Sequence, residues 1–261
     1  MGDKMVYLDN AATTAPLPQV LAAMDKMNTE VYGNPSSLHM QGIYAETAVA
    51  QARQKVADMI GAKKEEIYFS SGGTFCNNAA IIGAARALRR RGDKIVISAI
   101  EHACVREAAK SLTAEGFRVV AAEPTVEGFA AEIDEKTVLV SCMLVNNETG
   151  LILPVKEIAE LIKRTGAPAL MHVDAVQALG KIEVNVKKLG CDLLSMSSHK
   201  IHGPKGCGAL YVKNGGDCNP LSLAVGRKKI LFPVPTTLLP LSVSAVRWNL
   251  PKRSGTTAKP N

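Results

Sequence analysis

Met171-His172-Val173-Asp174-Ala175-Val176-Gln177 reads as a buried β-strand that ends in an acid. Ser197-Ser198-His199-Lys200-Ile201-His202-Gly203-Pro204-Lys205-Gly206 follows as a polar loop carrying a lysine among hydroxyls and imidazoles. The apolar run Leu193–Met196 stands directly before that loop and reads as the neighbouring strand. Short apolar runs of this kind, bounded by polar residues, mark strands covered on both faces. Ligands of such sheets bind outside the carboxyl ends of the strands, where this acid and this lysine stand.

The same rhythm extends outward over residues 41–213. Gln41 to Gly61 reads as a helix stopped by a glycine, and Glu66–Ser70 as a short strand. Ser71-Gly72-Gly73-Thr74 then leads into a helix from about Cys76 to Arg91. Strands are expected at Lys94–Ser98, Phe117–Ala121, Val138–Val145, Ala169–Val173, Leu193–Met196 and Gly208–Val212. Helices are expected near Ala103–Glu115 and Val155–Thr165. The fold class is α/β, a mostly parallel doubly wound sheet with helices on both faces. Tyr7 through Thr14 reads as a short strand and turn that packs elsewhere than on the main sheet.

A chain of 261 residues accommodates one large α/β domain, or one domain and part of another. With 47% hydrophobic and 21% charged residues it reads as soluble and globular. No apolar run reaches membrane-spanning length, and Met1-Gly2-Asp3-Lys4 leads into no signal-peptide core, so a cytoplasmic location is expected. The six cysteines have neither CxxC nor zinc-like spacing, which predicts no metal site and no disulfide framework. Cys142 and Cys191 lie in apolar, strand-like contexts and read as inert core thiols. The net charge of +7 suggests a nucleic-acid or acidic-membrane partner until its distribution is considered. From Asn214 onward there are seven basic residues and one acid, so the basicity belongs to the tail and neither partner is expected.

An acid and a lysine at neighbouring strand ends are what a pyridoxal phosphate (PLP) site requires. The lysine forms the Schiff base, and the carboxylate keeps the pyridine nitrogen protonated. The other candidates gather around that pair. Ser71-Gly72-Gly73-Thr74, between strand and helix, suits a phosphate through backbone N–H groups, helix-end potential and the Thr74 hydroxyl, or is simply a turn. His102 ends a strand and suits a ring stacked on a planar cofactor, or a helix cap. Asn146-Asn147 also ends a strand and suits either a phenolic oxygen or the turn itself. Burying Asp174 without a partner is costly, so it meets either a pyridinium N–H or a structural ion pair. Gln177, in the first helical turn after it, reaches the same ligand. Ser197, His199 and Lys200 supply a hydroxyl, an imidazole and an amine within four residues.

Together, Leu8 through Thr14, Gly33-Asn34-Pro35-Ser36-Ser37-Leu38-His39, Ser71 through Thr74, Glu101-His102, Val145 through Gly150, His172 through Gln177 and Ser197 through Gly208 closely resemble the cysteine desulfurases of the class-V aminotransferase superfamily, PLP fold type I. The resemblance covers roughly residues 5–213, in order and with family-like spacing. It implies that Lys200 is the Schiff-base lysine, that Asp174 pairs with the pyridine nitrogen, and that His102 stacks on the ring and moves protons. It further implies that Asn147 and Gln177 bond the phenolic oxygen and that Gly73, Thr74, Ser197 and His199 hold the phosphate. Asn34 falls in the loop expected to face the substrate. The implied reaction converts L-cysteine to L-alanine, passing sulfur as a persulfide to an acceptor or scaffold protein for iron–sulfur cluster or thio-cofactor assembly. A homodimer is implied.

The second half of the family pattern is missing, including the nucleophilic cysteine and the substrate-binding arginine. Arg253-Ser254-Gly255-Thr256 resembles a family motif but falls late and lacks the residues that should follow. The expected organisation is residues 1–15 as the N-terminal segment of the small domain, 16–213 as the PLP-binding large domain, and 214–261 as an aberrant tail. Pro233-Val234-Pro235-Thr236-Thr237 is what Ser-Gly-Thr-Asp-Asn codons give when read one base late, which predicts a frameshift near residue 217. Coding DNA whose other frame restored no family-like sequence would refute this. Such a chain is expected to desulfurate weakly or not at all. Two other readings are a related PLP enzyme, either a selenocysteine lyase or a β-lyase, and a non-enzymatic large-domain fragment. Phe75-Cys76 departs from the family pattern and places a thiol where a helix start would lower its pKa.

Overall fold

The computed structural model describes residues 6–214. The readings of the tail, from the frameshift to Arg253-Ser254-Gly255-Thr256, lie outside them.

Seven strands form one sheet: β1 (Ile67–Ser70), β2 (Lys94–Ser98), β3 (Arg118–Ala122), β4 (Thr137–Ser141), β5 (Leu170–Asp174), β6 (Leu193–Ser197) and β7 (Gly208–Val212). Their spatial order is β1-β7-β6-β5-β4-β2-β3. Strands β3, β2, β4, β5 and β6 are mutually parallel, and β7 runs antiparallel to both its neighbours, β6 and β1. β1 therefore points the same way as β6, and Ser70 arrives at the same sheet edge as Asp174 and Ser197. Gly208 stands in register with both Ser70 and Ser197, which brings the glycine loop after β1 beside the end of β6.

The helices α1 (Pro18–Thr29), α2 (Met40–Ile60), α3 (Gly73–Leu88), α4 (Ala103–Ser111), α5 (Val126–Glu132), α6 (Val155–Thr165) and α7 (Val186–Leu189) surround that sheet. Alternate residues of the strands feed two apolar layers. Val96, Val140, Val173 and Met196 pack with α2 and α6 residues such as Ile60 and Ile158. Ile95, Ile97, Leu139 and Leu193 pack with α3 and α4 residues such as Ile81, Leu88 and Val105. Each large side chain so buried contributes about 1.5–3 kcal/mol. Helix α2 ends as expected at Gly61, whose φ of +69° closes the helix in the left-handed region.

Several local expectations change. Tyr7 through Thr14 contains a turn and no strand. It packs onto the loop after β6: Thr14 N and Thr14 Oγ1 each donate to His199 O at 2.9 Å. Helix α3 begins at Gly73, three residues earlier than expected, so Gly73 and Thr74 lie in its first turn. The expected strand Val138–Val145 stops at Ser141, and Val145 makes only an isolated bridge to Ile152. Gln177 lies in a run of turns closed by Ala178 N–Ala175 O and Leu179 N–Ala175 O bonds, not in a helix. α1, α5 and α7 had no counterpart in the sequence reading.

Candidate active site

The carboxyl edge of the sheet opens into a cavity of about 920 Å³. Gly73, Thr74, His102, Asn147, Asp174, Gln177, Ser197, His199 and Lys200 all line it. Asn34 does not: it is exposed, and its side chain accepts a bond from Ser36 N at 2.8 Å within its own loop.

Asp174 ends β5 and is 5% exposed. Its Oδ2 accepts from Asn77 Nδ2 at 2.7 Å and its Oδ1 from Val176 N at 2.9 Å. Burial raises its pKa above the ordinary carboxylate value, while Val176 N–H, the Asn77 amide, His102 and Lys200 act in the opposite direction. A cationic N–H in the cavity would complete the charge balance that these groups begin. Lys200 closes a short 3₁₀ turn after β6. Its Nζ donates to Ala11 O at 2.5 Å and Ala12 O at 2.8 Å. Burial lowers the Lys200 pKa, and Asp9 and Asp174 oppose that shift.

One stretch of the cavity wall is built by glycines and a helix terminus. A side chain at Gly73 would place its Cβ 2.7 Å from Val176 Cγ2, so only glycine lets α3 start this close to β5's exit. The N-cap of α3 is Gly72, with no side-chain cap bond, which leaves backbone donors and positive helix-end potential for an anion. Ser197 Oγ is buried and has no hydrogen-bond partner, and Ser197 lines the same cavity. A buried hydroxyl without a partner, beside a helix start and a buried acid, fits a polar ligand such as the PLP phosphate.

His102 takes the capping role and also lines the cavity. Its Nδ1 accepts from Cys104 N at 3.2 Å and caps α4, while the exposed ring faces the cavity. The adjacent asparagines divide the work. Asn146 makes the turn, its Oδ1 accepting from Glu148 N at 3.0 Å and Thr149 N at 2.9 Å, and Asn147 lines the cavity. The Gln177 amide donates to Ala11 O at 2.9 Å and accepts from Lys181 Nζ at 2.6 Å. His199 Nδ1 lies 3.1 Å from Thr13 Oγ1, and burial together with Lys200 and Lys205 lowers its pKa.

Three contributors escaped the sequence reading: Asn77, Cys104 and the N-terminal turn with Asp9. Asn77 was detectable as an amide one turn beyond Gly73 on an otherwise apolar helix face. The contacts of the N-terminal turn span nearly the whole chain and leave no local signal. Cys76 reverses its expectation: it is fully buried, and desolvation pushes its thiol up to about 12. Cys142 and Cys191 are buried core thiols as expected, with Cys191 also pushed up to about 12 by burial. The five cysteines among the described residues form no disulfide. No group of three or more potential metal ligands occurs among the described residues, and no helix there is long and apolar enough to cross a membrane.

Comparison with known proteins places this geometry. The family model described as "Aminotransferase class-V" matches residues 6–229, running past Lys213. Cysteine desulfurase IscS of Clostridium botulinum (strain Hall) is 45% identical over 219 residues, covering 82% of this chain and 55% of the relative. Cysteine desulfurase IscS of Methanosarcina thermophila is 44% identical, covering 84% of this chain and 55% of the relative. This chain thus spans about half the length of the curated relatives it matches. Among solved structures, a "NIFS-like protein" superposes with a TM-score of 0.85 at 36% identity, covering 92% of this chain and 68% of that one. "SspA in complex with cysteine" superposes with a TM-score of 0.83 at 32% identity, covering 92% and 72%.

Proposed function

The chain belongs to the aminotransferase class-V family and has the family's PLP fold type I large domain; from that premise we propose that it acts as the cofactor-holding domain of a cysteine desulfurase. The observation that carries this reading is the convergence of Asp174, Lys200, His102 and the Gly73 helix start on one cavity. The relatives' names supply the substrate, L-cysteine, and the product side follows: L-alanine, with sulfur leaving toward an acceptor or scaffold protein. A cytoplasmic homodimer, with residues 1–15 belonging to a small domain, completes the proposal.

PLP, when bound, supplies an electron sink for bonds broken at the substrate's α and β carbons. The chain's own groups define where it is held. Asp174 presents a buried anion for the ring nitrogen, and His102 offers an imidazole face at the cavity wall. Asn147 and Gln177 offer amides for the phenolic oxygen. Thr74, Ser197, His199 and the first N–H groups of α3 receive the phosphate. Burial lowers the Lys200 pKa, so Nζ gives up its proton more readily than a solvated lysine.

A sulfur-accepting thiol is a separate requirement. Cys104 lines the cavity, but burial raises its pKa and Asp174 and Glu101 add to the shift, which disfavours the thiolate. Cys76, Cys142, Cys191 and Cys207 are buried, and Cys218 lies outside the described residues. The proposal therefore expects L-alanine to form from L-cysteine on the PLP-loaded chain only when a small thiol such as dithiothreitol is added. Alanine formed at the same rate without added thiol, or from L-selenocysteine alone, would favour the lyase reading instead. PLP loading without turnover of either amino acid would favour the non-enzymatic fragment.

A further inference from the structure

A second row of polar side chains crosses the sheet one pleat below the cavity. His172 is fully buried on β5, two residues before Asp174 and on the same face of the strand. Its Nδ1 lies 2.9 Å from Ser141 Oγ on β4, and its Nε2 lies 3.0 Å from Ser195 Oγ on β6. Ser195 is also the register partner of Asp174. Ser141 Oγ in turn lies 3.3 Å from Glu101 Oε1, beyond the end of β2. Glu101 is 1% exposed and directly precedes His102. None of these four side chains lines the cavity. The strands they join are β2, β4, β5 and β6, and the exits of these strands carry His102, Asn147, Asp174 and Ser197.

Proton counting makes this row directional. Burial lowers the His172 pKa to about 3, so the ring is neutral and carries one N–H. Ser141 has one hydroxyl proton to share between Glu101 and His172 Nδ1. If Ser141 donates to Glu101, it accepts from Nδ1–H, and Nε2 accepts from Ser195. The bond in the structure runs from Ser141 Oγ to Glu101 Oε1, so all three bonds run one way and the Glu101 end sets which tautomer His172 holds.

Glu101 Oε2 is buried without a hydrogen-bond partner, although the backbone N–H groups of Met143 and His102 lie against the carboxyl. An ionised oxygen left that way is costly, in keeping with a carboxyl pushed up to about 8, first by burial and then by Asp174. Arg106 donates to the Glu101 backbone carbonyl, which ties α4 to the same turn.

We propose that Glu101 is a positioning residue, locked through Ser141, His172 and Ser195, that fixes the backbone of His102 and the level of Asp174 at the cavity wall. The inference rests on the PLP reading above for its purpose, but the relay itself is testable in the unloaded chain.

The test is ¹⁵N NMR of histidine-labelled protein, together with PLP titration, for the parent, E101Q, E101A and S141A. The E101Q variant keeps a partner for Ser141 in either direction, whereas E101A and S141A break the row. The parent and E101Q are expected to show one His172 tautomer and PLP affinities within about twofold of each other. S141A is expected to show mixed tautomers and displaced His102 ring signals, with PLP affinity about tenfold weaker. E101A should match S141A, and if E101A fails to fold, S141A decides. A mixture of tautomers in the parent would overturn the relay. So would S141A leaving the His172 and His102 signals unchanged. If the parent binds no PLP, the cofactor reading fails, and the tautomer and His102 signals of the unloaded chain still decide the relay.

Discussion

Asn77 donates its side-chain amide to Asp174 Oδ2 across 2.7 Å, from the second turn of α3 to the end of β5. The bond links the helix whose start lines the cavity to the acid that lines it from the end of β5. It also favours the ionised form of a carboxyl that burial otherwise drives toward neutrality.

Asn77→Ala removes that donor and should raise the Asp174 pKa further. A hydrogen bond to a charged group contributes about 1.5–3 kcal/mol, so PLP affinity should fall by roughly tenfold or more. Asn77→Asp should be worse, because it sets a like charge beside the acid. Equilibrium titration with PLP reads both variants, and an unchanged affinity in Asn77→Ala would detach Asp174 from cofactor binding.

Ser197 presents the opposite trade. Its buried hydroxyl satisfies no protein partner, so Ser197→Ala should leave the unloaded chain equally stable, or more stable by up to about 1 kcal/mol. The same change should weaken binding of PLP and of inorganic phosphate. Denaturant unfolding and ligand titration on one preparation measure the two effects, and a loss of stability without a loss of affinity would refute the assignment.

Two buried groups shape the pH dependence of stability in opposite senses. His172 has its pKa depressed from 6.5 to about 3, so it contributes stability above 6.5 that is lost as pH falls toward 3. Glu101 has its pKa raised from 4.5 to about 8, so it contributes stability below 4.5 that is lost as pH rises through 8. Asp174, also raised, adds to the alkaline limb. From His172 and Glu101 alone the unfolding midpoint in urea should be highest between roughly pH 4.5 and 6.5, and Asp174 shifts that maximum toward the acid side. Glu101→Gln should flatten the alkaline limb and leave the acid limb. Equal slopes in parent and variant above pH 6.5 would contradict the assignment.

Much of this was legible in the chain because strand ends carry local signatures. The apolar run before Asp174 and the polar run after Ser197 located two neighbouring strand exits, and the glycines at 72 and 73 located a third. The antiparallel course of β7 left no such mark, since Gly208–Val212 is apolar in the way a parallel strand is. Short helices such as α5 and α7 were missed because seven and four residues are too few for a helical period to show. The partners of the N-terminal turn were not legible because nothing local reveals contacts such as Thr13–His199 or Ala12–Lys200. Cys76 misled for a physical reason: a helix start lowers a thiol pKa only where the thiol meets solvent, and this one is sealed beneath α3.

The measurement that tests the central claim is the visible absorption of the purified chain after adding PLP, read beside Lys200→Ala and followed by borohydride reduction and peptide mass analysis. The account predicts a visible band in the parent that Lys200→Ala lacks, and after reduction a pyridoxyl group fixed on the peptide that contains Lys200. A band that persists in Lys200→Ala, a label on another lysine, or no band in either protein would contradict it.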